Sequence, residues 1–508
     1  MKGAHLAYQE GASVQFSSDY VVVGSGAGGA AAAVMLARAG YSVTIVESGP
    51  WRVPDDYPSS MYGCLRDMFD SWGTKVARGD SLMPVIQANV VGGTTVINSS
   101  IVVRTPGDVL QDWREQHGLG DVFTEAAIGA AQDRIEDELK VTPSNQAEAF
   151  GASSQMLLDA LRRRGLEGHP TDRNVHNCRG VNRCLQGCRS RRKRSTNLDW
   201  IPEVMDRGGT VMSCAPAERI LIARGRATGV TGRFRHPVTR SNGASFRIAA
   251  DRGVLVAASA TGTAPLLQRS GYRHRALGQG WRAHPGAGVF GVYRDRIDQP
   301  IGPSQGTASI HHRRDIGIKL ESLTLPLEVV AGRLSGGGIE LVRRLEKFSH
   351  LAMWVTAVRA DAVGTINAGL FGTSIRYKPT LKDVDRLRRG CALLARMHFE
   401  SGAEAVLPGI HGLPYSIGPD EIDLIENAPT NNKAYTWVIS HLFGGAVMGD
   451  NPQRSVVGKD LHVRGVRGLH VVDAAALPTT LGVNPQHTIM AVAQVIADRL
   501  ANDGAPAA

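Results

Sequence analysis

A short apolar run, Tyr20–Val23, leads straight into a glycine-studded turn, and a helical pattern of small residues separates it from a second apolar run, Val43–Val46. Runs this short, bounded by turn residues, predict buried strands, and the alanine-rich stretch between them predicts a helix packed on both. The opening is therefore a βαβ unit over 19–50, and residues 1–18 read as a lead-in arm. Residues 51–72 are loop-rich, with Trp51, Tyr57, Tyr62, Phe69 and Trp72 expected in the core or at an interface. Helical periodicity follows over 122–140 and 144–164, with Arg162–Arg164 late in the second, which suits the helix dipole. Alternation from 209 to 260 predicts a strand meander ending in a buried strand, Gly253–Ala258, and Thr261–Gly271 reads as a loop and helix. The alternating runs of 300–380 predict an antiparallel sheet, and Leu381–Ser401 an amphipathic helix. Near the far end, Gly468–Val472 reads as a buried strand, and Thr488–Leu500 as a helix opened by Asn484–Pro485. That last pair would return to complete the opening unit.

Composition narrows this picture. At 508 residues, 43% hydrophobic and 20% charged, the chain is globular and long enough for two domains. No apolar stretch reaches the roughly 18 residues of a membrane span. The start, MKGAHLAYQEGASVQFSSD, lacks the apolar core of a signal peptide. Six cysteines in this length are no disulfide scaffold, and the expected compartment is the cytoplasm. The net charge is +10, densest in Arg189–Arg194. Without interleaved aromatics this run reads as a solvated basic face, not a nucleic-acid site.

The turn after Val23 carries Gly24, Gly26 and Gly29 in G-x-G-x-x-G spacing, opens a helix, and is followed about twenty residues on by Glu47. Gly24 permits the tight turn, Gly26 lets a pyrophosphate reach the backbone, and Gly29 lets the helix pack on the strand. The helix N-terminus offers free N–H groups to phosphates, and Glu47 can accept from a ribose diol. This is a dinucleotide site. Gly92–Gly93, in Asn89–Pro106, is a second turn whose amides can face a phosphate or ring edge, with Thr94, Thr95, Asn98 and Ser99 just beyond. Asp473 sits at a strand C-terminus, where open α/β sheets place ligand contacts.

Four blocks together resemble the glucose-methanol-choline (GMC) oxidoreductase family: VVVGSGAGG…VTIVESG at 21–49, VGGTTVINSSIVVRTP at 91–106, VLVAASATGTAPLLQRSG at 254–271, and HLFGGAVMG…LHVVDAAALPTTLGVNPQHTIMAVA at 441–493. The length is near that of the compact bacterial branch, similar to cholesterol oxidases and long-chain-alcohol oxidases. The resemblance implies an α/β fold: a discontinuous, Rossmann-like FAD-binding domain (19–120, 200–290, 441–508), and an α+β substrate domain on an antiparallel sheet (121–199, 291–440). It implies FAD, with Gly24, Gly26, Gly29 and Glu47 on the ADP half and Gly92, Gly93, Thr94 and Asn98 along the pyrophosphate and flavin. Asp473 would lie by the ribityl-pyrophosphate, and Asn484 and Pro485 by the pyrimidine end of the ring. There a helix N-terminus suits the charge of reduced flavin. Nothing in 91–106 matches the His by which some members link FAD, so FAD is expected to be non-covalent.

The implied activity is oxidation of an alcohol CH–OH to aldehyde or ketone, with His441 as base and Asn484 orienting the hydroxyl. The partners would be a small-molecule alcohol and O2 or another electron acceptor. Sugar, glycoside or natural-product alcohols with a non-oxygen acceptor, and a redox-silent hydroxynitrile-lyase-like reaction, are the alternatives. His470 and His487 are rivals to His441. Glu321 is a further candidate proton carrier, with Glu328 beside it, although a charged strand-edge residue is the plainer reading of Glu321. Cys178, Cys184 and Cys188 read as a structural loop rather than an iron–sulfur site, so no metal is expected.

Overall fold

The computed structural model describes residues 3–145, 149–370 and 372–503. The first residues of the expected arm, 146–148 within the expected second helix, Phe371, and the last residues of the C-terminal segment lie outside the described residues.

Val14–Val23 runs through the middle of an eight-stranded sheet, flanked by Val43–Val46 and Asn242–Val256, all parallel. Thr210–Met212 and then Ala4–Leu6 extend the sheet beyond Val43–Val46. The residues read as an arm therefore enter the sheet. Val14 and Phe16 alternate with polar residues and lie beside Phe246 and Ile248, a short period that the serines after Phe16 obscure.

Asn242–Val256 joins two halves of the chain. Its first part pairs antiparallel with Arg226–Arg235. After a register shift between Ala250 and Gly253, its last residues pair parallel with Leu469–Val471. The C-terminal strand thus returns to the opening unit, and the helix Gln486–Asp503 packs on Ala27–Arg38 and on Glu125–Glu138. The strand core is continuous apolar sequence, as a parallel sheet covered on both faces requires.

A second sheet is antiparallel. Arg282–Val292 crosses it, pairing with Leu351–Val358 along one side and with Val438–Phe443 and Ala405–Leu407 along the other. Ile318–Leu323 lies inside this sheet, between Leu351–Val358 and Thr307–Ser309. Glu321 is thus buried in an interior strand and is not an edge residue. The helix Leu381–Glu400 backs the sheet, opened by a capping box in which Thr380 and Asp383 each accept the other's backbone N–H.

Three expectations change. The second predicted helix begins only at Ala152, and the chain before it makes a short strand, Thr142–Pro143, and a turn. The run after Leu323 leaves the sheet at Pro326 and forms the helix Leu327–Ala331, although its valines read as strand. Tyr57 and Phe69 are core, but Tyr62 and Trp72 are exposed and meet edge-to-face. Among the described residues no helix is long and apolar enough to cross a membrane.

Candidate active site

The first glycine turn is built for close approach. Gly24 has φ +102°, and a Cβ there would lie 2.2 Å from the Ala257 carbonyl oxygen. A Cβ on Gly29 would sit 2.0 Å from the Gly24 oxygen, which is the helix-on-strand packing expected of it. Gly28 is a further tight point: its Cβ would lie 1.9 Å from Val472 O, so the C-terminal strand also needs a glycine in this helix. Gly26 differs. The nearest heavy atom to its Cβ would be 4.0 Å away, the Cα of Gly93, so its outer face is free for a ligand. The two glycine turns face each other, and Ser25 Oγ ties them by accepting the Gly92 N–H at 2.8 Å.

Glu47 accepts the N–H and hydroxyl of Ser25 on one oxygen, at 2.9 and 2.6 Å, and the Gly49 N–H on the other at 2.8 Å. A carboxylate keeps further acceptor capacity, and Glu47 lines the cavity. Asp473 caps the turn after Leu469–Val471, accepting the Ala475 N–H at 2.8 Å and the Thr263 hydroxyl at 2.6 Å. Burial pushes its carboxyl up to about 6, against those bonds.

The loop after Gly93 is held from behind by cations. Buried Lys193 donates to the carbonyls of Val96, Asn98 and Cys184 at 2.8, 2.6 and 2.9 Å. Arg173 donates to Ser99 O at 2.7 Å and to Cys184 Sγ at 3.1 Å. Burial pushes the Cys184 thiol up, but Arg173 and Lys193 outweigh it and bring it to about 6. Cys178 and Cys188 make separate local contacts, with the Gly180 N–H and the Ser190 hydroxyl. On its cavity side the loop presents Asn98, whose amide donates to Gln486 Oε1 at 2.5 Å.

The chemistry gathers where the antiparallel sheet meets the last helix. Strand register places His441 directly opposite His284, and the Nδ1 atoms are 3.2 Å apart. His441 Nε2 lies 3.3 Å from Asn484 Nδ2. Asn484 Oδ1 accepts from Lys319 Nζ, and Lys319 also pairs with Glu321 at 2.7 Å, both side chains buried. Burial pulls the His441 imidazole down to about 4, Glu321 opposing and Lys319 adding to the shift. Its rivals face elsewhere. His487 bonds Glu136 at 2.9 Å, and His470 packs on His462. Glu328 is exposed and accepts the Met61 N–H at 3.5 Å.

One cleft of about 1010 Å³ joins these regions. Gly24, Gly26 and Glu47 line one part of it, Gly93, Thr94, Asn98 and Asp473 another, and His441, Asn484 and Pro485 a third. Gly29 and Gly92 act by packing instead, and Glu321 lies behind the wall that His441 and Asn484 form. His284 and Lys319 are the members of the cluster that sequence reasoning did not name. The same-face pair Lys319 and Glu321 in a strand otherwise mainly apolar was the available signal.

The buried imidazoles set an acid limit on stability. Burial brings His398, stacked on Trp354, to about 3, and His470 to about 4. In the unfolded chain these rings titrate near 6.5. Between the two values the unfolded state binds more protons, so stability falls as pH drops from about 6.5 toward 4. Thermal unfolding followed against pH should show this slope, and His398→Phe should make it shallower.

The GMC oxidoreductase family profile matches residues 18–286 in its N-terminal part and 363–493 in its C-terminal part. An uncharacterized GMC-type oxidoreductase of Mycobacterium tuberculosis is 34% identical over 485 residues, 95% of this chain and 75% of the relative. A long-chain-alcohol oxidase of Arabidopsis thaliana is 27% identical over 531 residues, 98% of this chain and 69% of the relative. In fold, a solved structure of Aspergillus oryzae formate oxidase, from work on FAD modification in that enzyme, matches with TM-score 0.74 at 16% identity, covering 99% of each chain.

Proposed function

Because this chain belongs to the GMC oxidoreductase family of FAD-binding flavoproteins, we propose that it oxidises the CH–OH group of a small-molecule alcohol with non-covalently held FAD. The observation that carries the reading is the single cleft running from Glu47 and the paired glycine turns to His441 and Asn484. The open face of Gly26 and the left-handed Gly93 beside it make a cradle that a side chain would fill, which suits a pyrophosphate. Glu47 and the first turn would hold the ADP half, and Gly93, Thr94 and Asn98 the pyrophosphate and the near edge of the flavin. Asp473 would meet the ribityl chain, and Asn484 and Pro485 the pyrimidine end.

When bound, FAD supplies a two-electron acceptor for the carbinol C–H. The protein's part is to hold the hydroxyl oxygen and take away its proton. His441 and Asn484 meet that oxygen at the cavity wall. Lys319 and Glu321 stand behind them, so the cluster combines hydrogen-bond donors with a carboxylate. The resemblance gives the base role to His441. The long-chain-alcohol oxidase relative favours apolar alcohols as the substrate class, with O2 or another acceptor receiving the electrons.

The purified protein should be yellow, should release its flavin on denaturation, and should bleach under anaerobic conditions with one class of alcohol. A screen of aliphatic, sterol and sugar alcohols read by flavin absorbance tests this. A colourless protein that takes up no added FAD would end the reading, and bleaching by none of these alcohols would end its substrate assignment.

A further inference from the structure

We propose that Cys184 is an oxidation site: its sulfur, held as a thiolate, takes one oxygen atom from hydrogen peroxide, and Arg173 holds the resulting sulfenate in place.

The sulfur stands among donors. Arg173 Nη2 reaches it at 3.1 Å. Ser304 adds its hydroxyl and its backbone N–H. Buried Lys193 spends its N–H groups on the carbonyls of Val96, Asn98 and Cys184 itself, so it acts on the sulfur through its charge. An S–H proton needs an acceptor, and these neighbours offer N–H and O–H groups instead. The anion is the form that fits, and it is also the nucleophilic form of cysteine.

A second observation concerns the guanidinium. Arg173 is 1% exposed. Its Nε donates to Ser99 O at 2.7 Å and its Nη2 to the sulfur. Its Nη1 is buried and has no hydrogen-bond partner among the described residues. Leaving such a donor unpaired is costly. Nη1 shares its carbon with the nitrogen that holds the sulfur, so an oxygen bonded to that sulfur can accept from it. The bond would be charge-assisted, and the donor for the oxidised residue is already in place.

The other cysteines have different settings. Cys64, Cys214 and Cys391 are buried, and burial pushes their thiols up. Cys178 meets the Gly180 N–H at 3.4 Å, and Cys188 the Ser190 hydroxyl at 3.2 Å. Cys184 keeps part of its surface exposed.

In the step, the sulfur attacks one peroxide oxygen. An S–O bond forms as the O–O bond breaks, and the departing hydroxide takes the sulfenic proton and leaves as water. Sulfur gives up two electrons and the peroxide is reduced. The site backs the loop that carries Asn98 and Ser99 to the cleft, and Leu185, next in the chain, lines the cleft too. With O2 as the acceptor, one of the two routes proposed above, hydrogen peroxide is released beside it. The oxidation itself needs the peroxide alone and does not depend on the alcohol reading.

The test treats FAD-loaded protein with equimolar hydrogen peroxide at neutral pH, stops the reaction with catalase, and unfolds the protein in dimedone, which labels sulfenates. Peptide mass spectrometry then reads each cysteine. Cys184 should carry about tenfold more label than Cys178 or Cys188. The label should persist when dimedone is added well after the catalase, and Cys184→Ser should remove it. Arg173→Lys keeps a charge beside the sulfur but loses the second N–H, so its label should form and then fade on delay as oxidation runs on to the sulfinate. Equal or greater label on Cys178 or Cys188, or none on Cys184, overturns the proposal. A wild-type label that fades on delay overturns the part given to Arg173. Both wild-type readings stand if the Arg173 variant does not fold.

Discussion

Replacing His441 by alanine should slow anaerobic flavin reduction by the best alcohol about 10²- to 10³-fold, with flavin content unchanged. The ring stands where the cleft reaches the antiparallel sheet, 3.3 Å from Asn484, and on the proposed reading these two residues would meet the substrate oxygen. Removing it takes away a hydrogen-bonding group that buried His284 holds in place across the strand pair, the preorganised setting in which such a bond contributes most. The cofactor contacts proposed above come from other residues, so binding of FAD should survive. Stopped-flow reduction with a parallel flavin-to-protein ratio separates these effects. His487→Ala is the matched control. It removes a ring that faces Glu136 and not the cavity, so it should alter stability and leave the reduction rate near wild type. Equal losses in both variants would mean that His441 acts through the fold and not at the substrate.

The part of this site that could be read from the sequence is the part made locally. The turn Gly24–Gly29 was legible because the glycine spacing, the helix and Glu47 all fall within one βαβ unit, although the close contacts that Gly24 and Gly28 answer come from Ala257 and Val472 far along the chain. The C-terminal strand and helix were legible for the same reason, as a continuous apolar run and a proline-opened helix. Resemblance placed His441 and Asn484, since nothing in the local pattern marks one histidine among 16. His284 and Lys319 escaped because strand register brings them in. His284 meets His441 across 157 residues, and alternation alone cannot say which strands pair. Glu321 was recognised but set at an edge, because a carboxylate in a strand ordinarily faces water. Here the ion pair with Lys319 lets it stay inside. The loss of strand at Pro326 and the exposure of Tyr62 and Trp72 share another cause. Apolar letters record what can be buried, not what the rest of the chain leaves room to bury.

That buried pair yields the second large effect. Lys319→Met should destabilise the FAD-loaded protein by about 3–5 kcal/mol, read from the denaturant midpoint, because it leaves the Glu321 carboxylate inside without its counter-charge. Both side chains are almost wholly enclosed, at 3% and 4% exposure, so solvent cannot take the place of the ammonium. Asn484 Oδ1 loses its donor in the same change, and its amide becomes free to turn. The double variant Lys319→Met/Glu321→Leu removes both charges and fills the space with apolar atoms. It should recover most of the lost stability, since well-packed hydrophobic residues commonly replace a buried ion pair at little cost. It should not recover the proposed alcohol oxidation, because the ammonium that orients Asn484 is gone. Stability restored without activity would separate the chemical work of the pair from its structural work. If activity returned together with stability, the pair would be only a packing device.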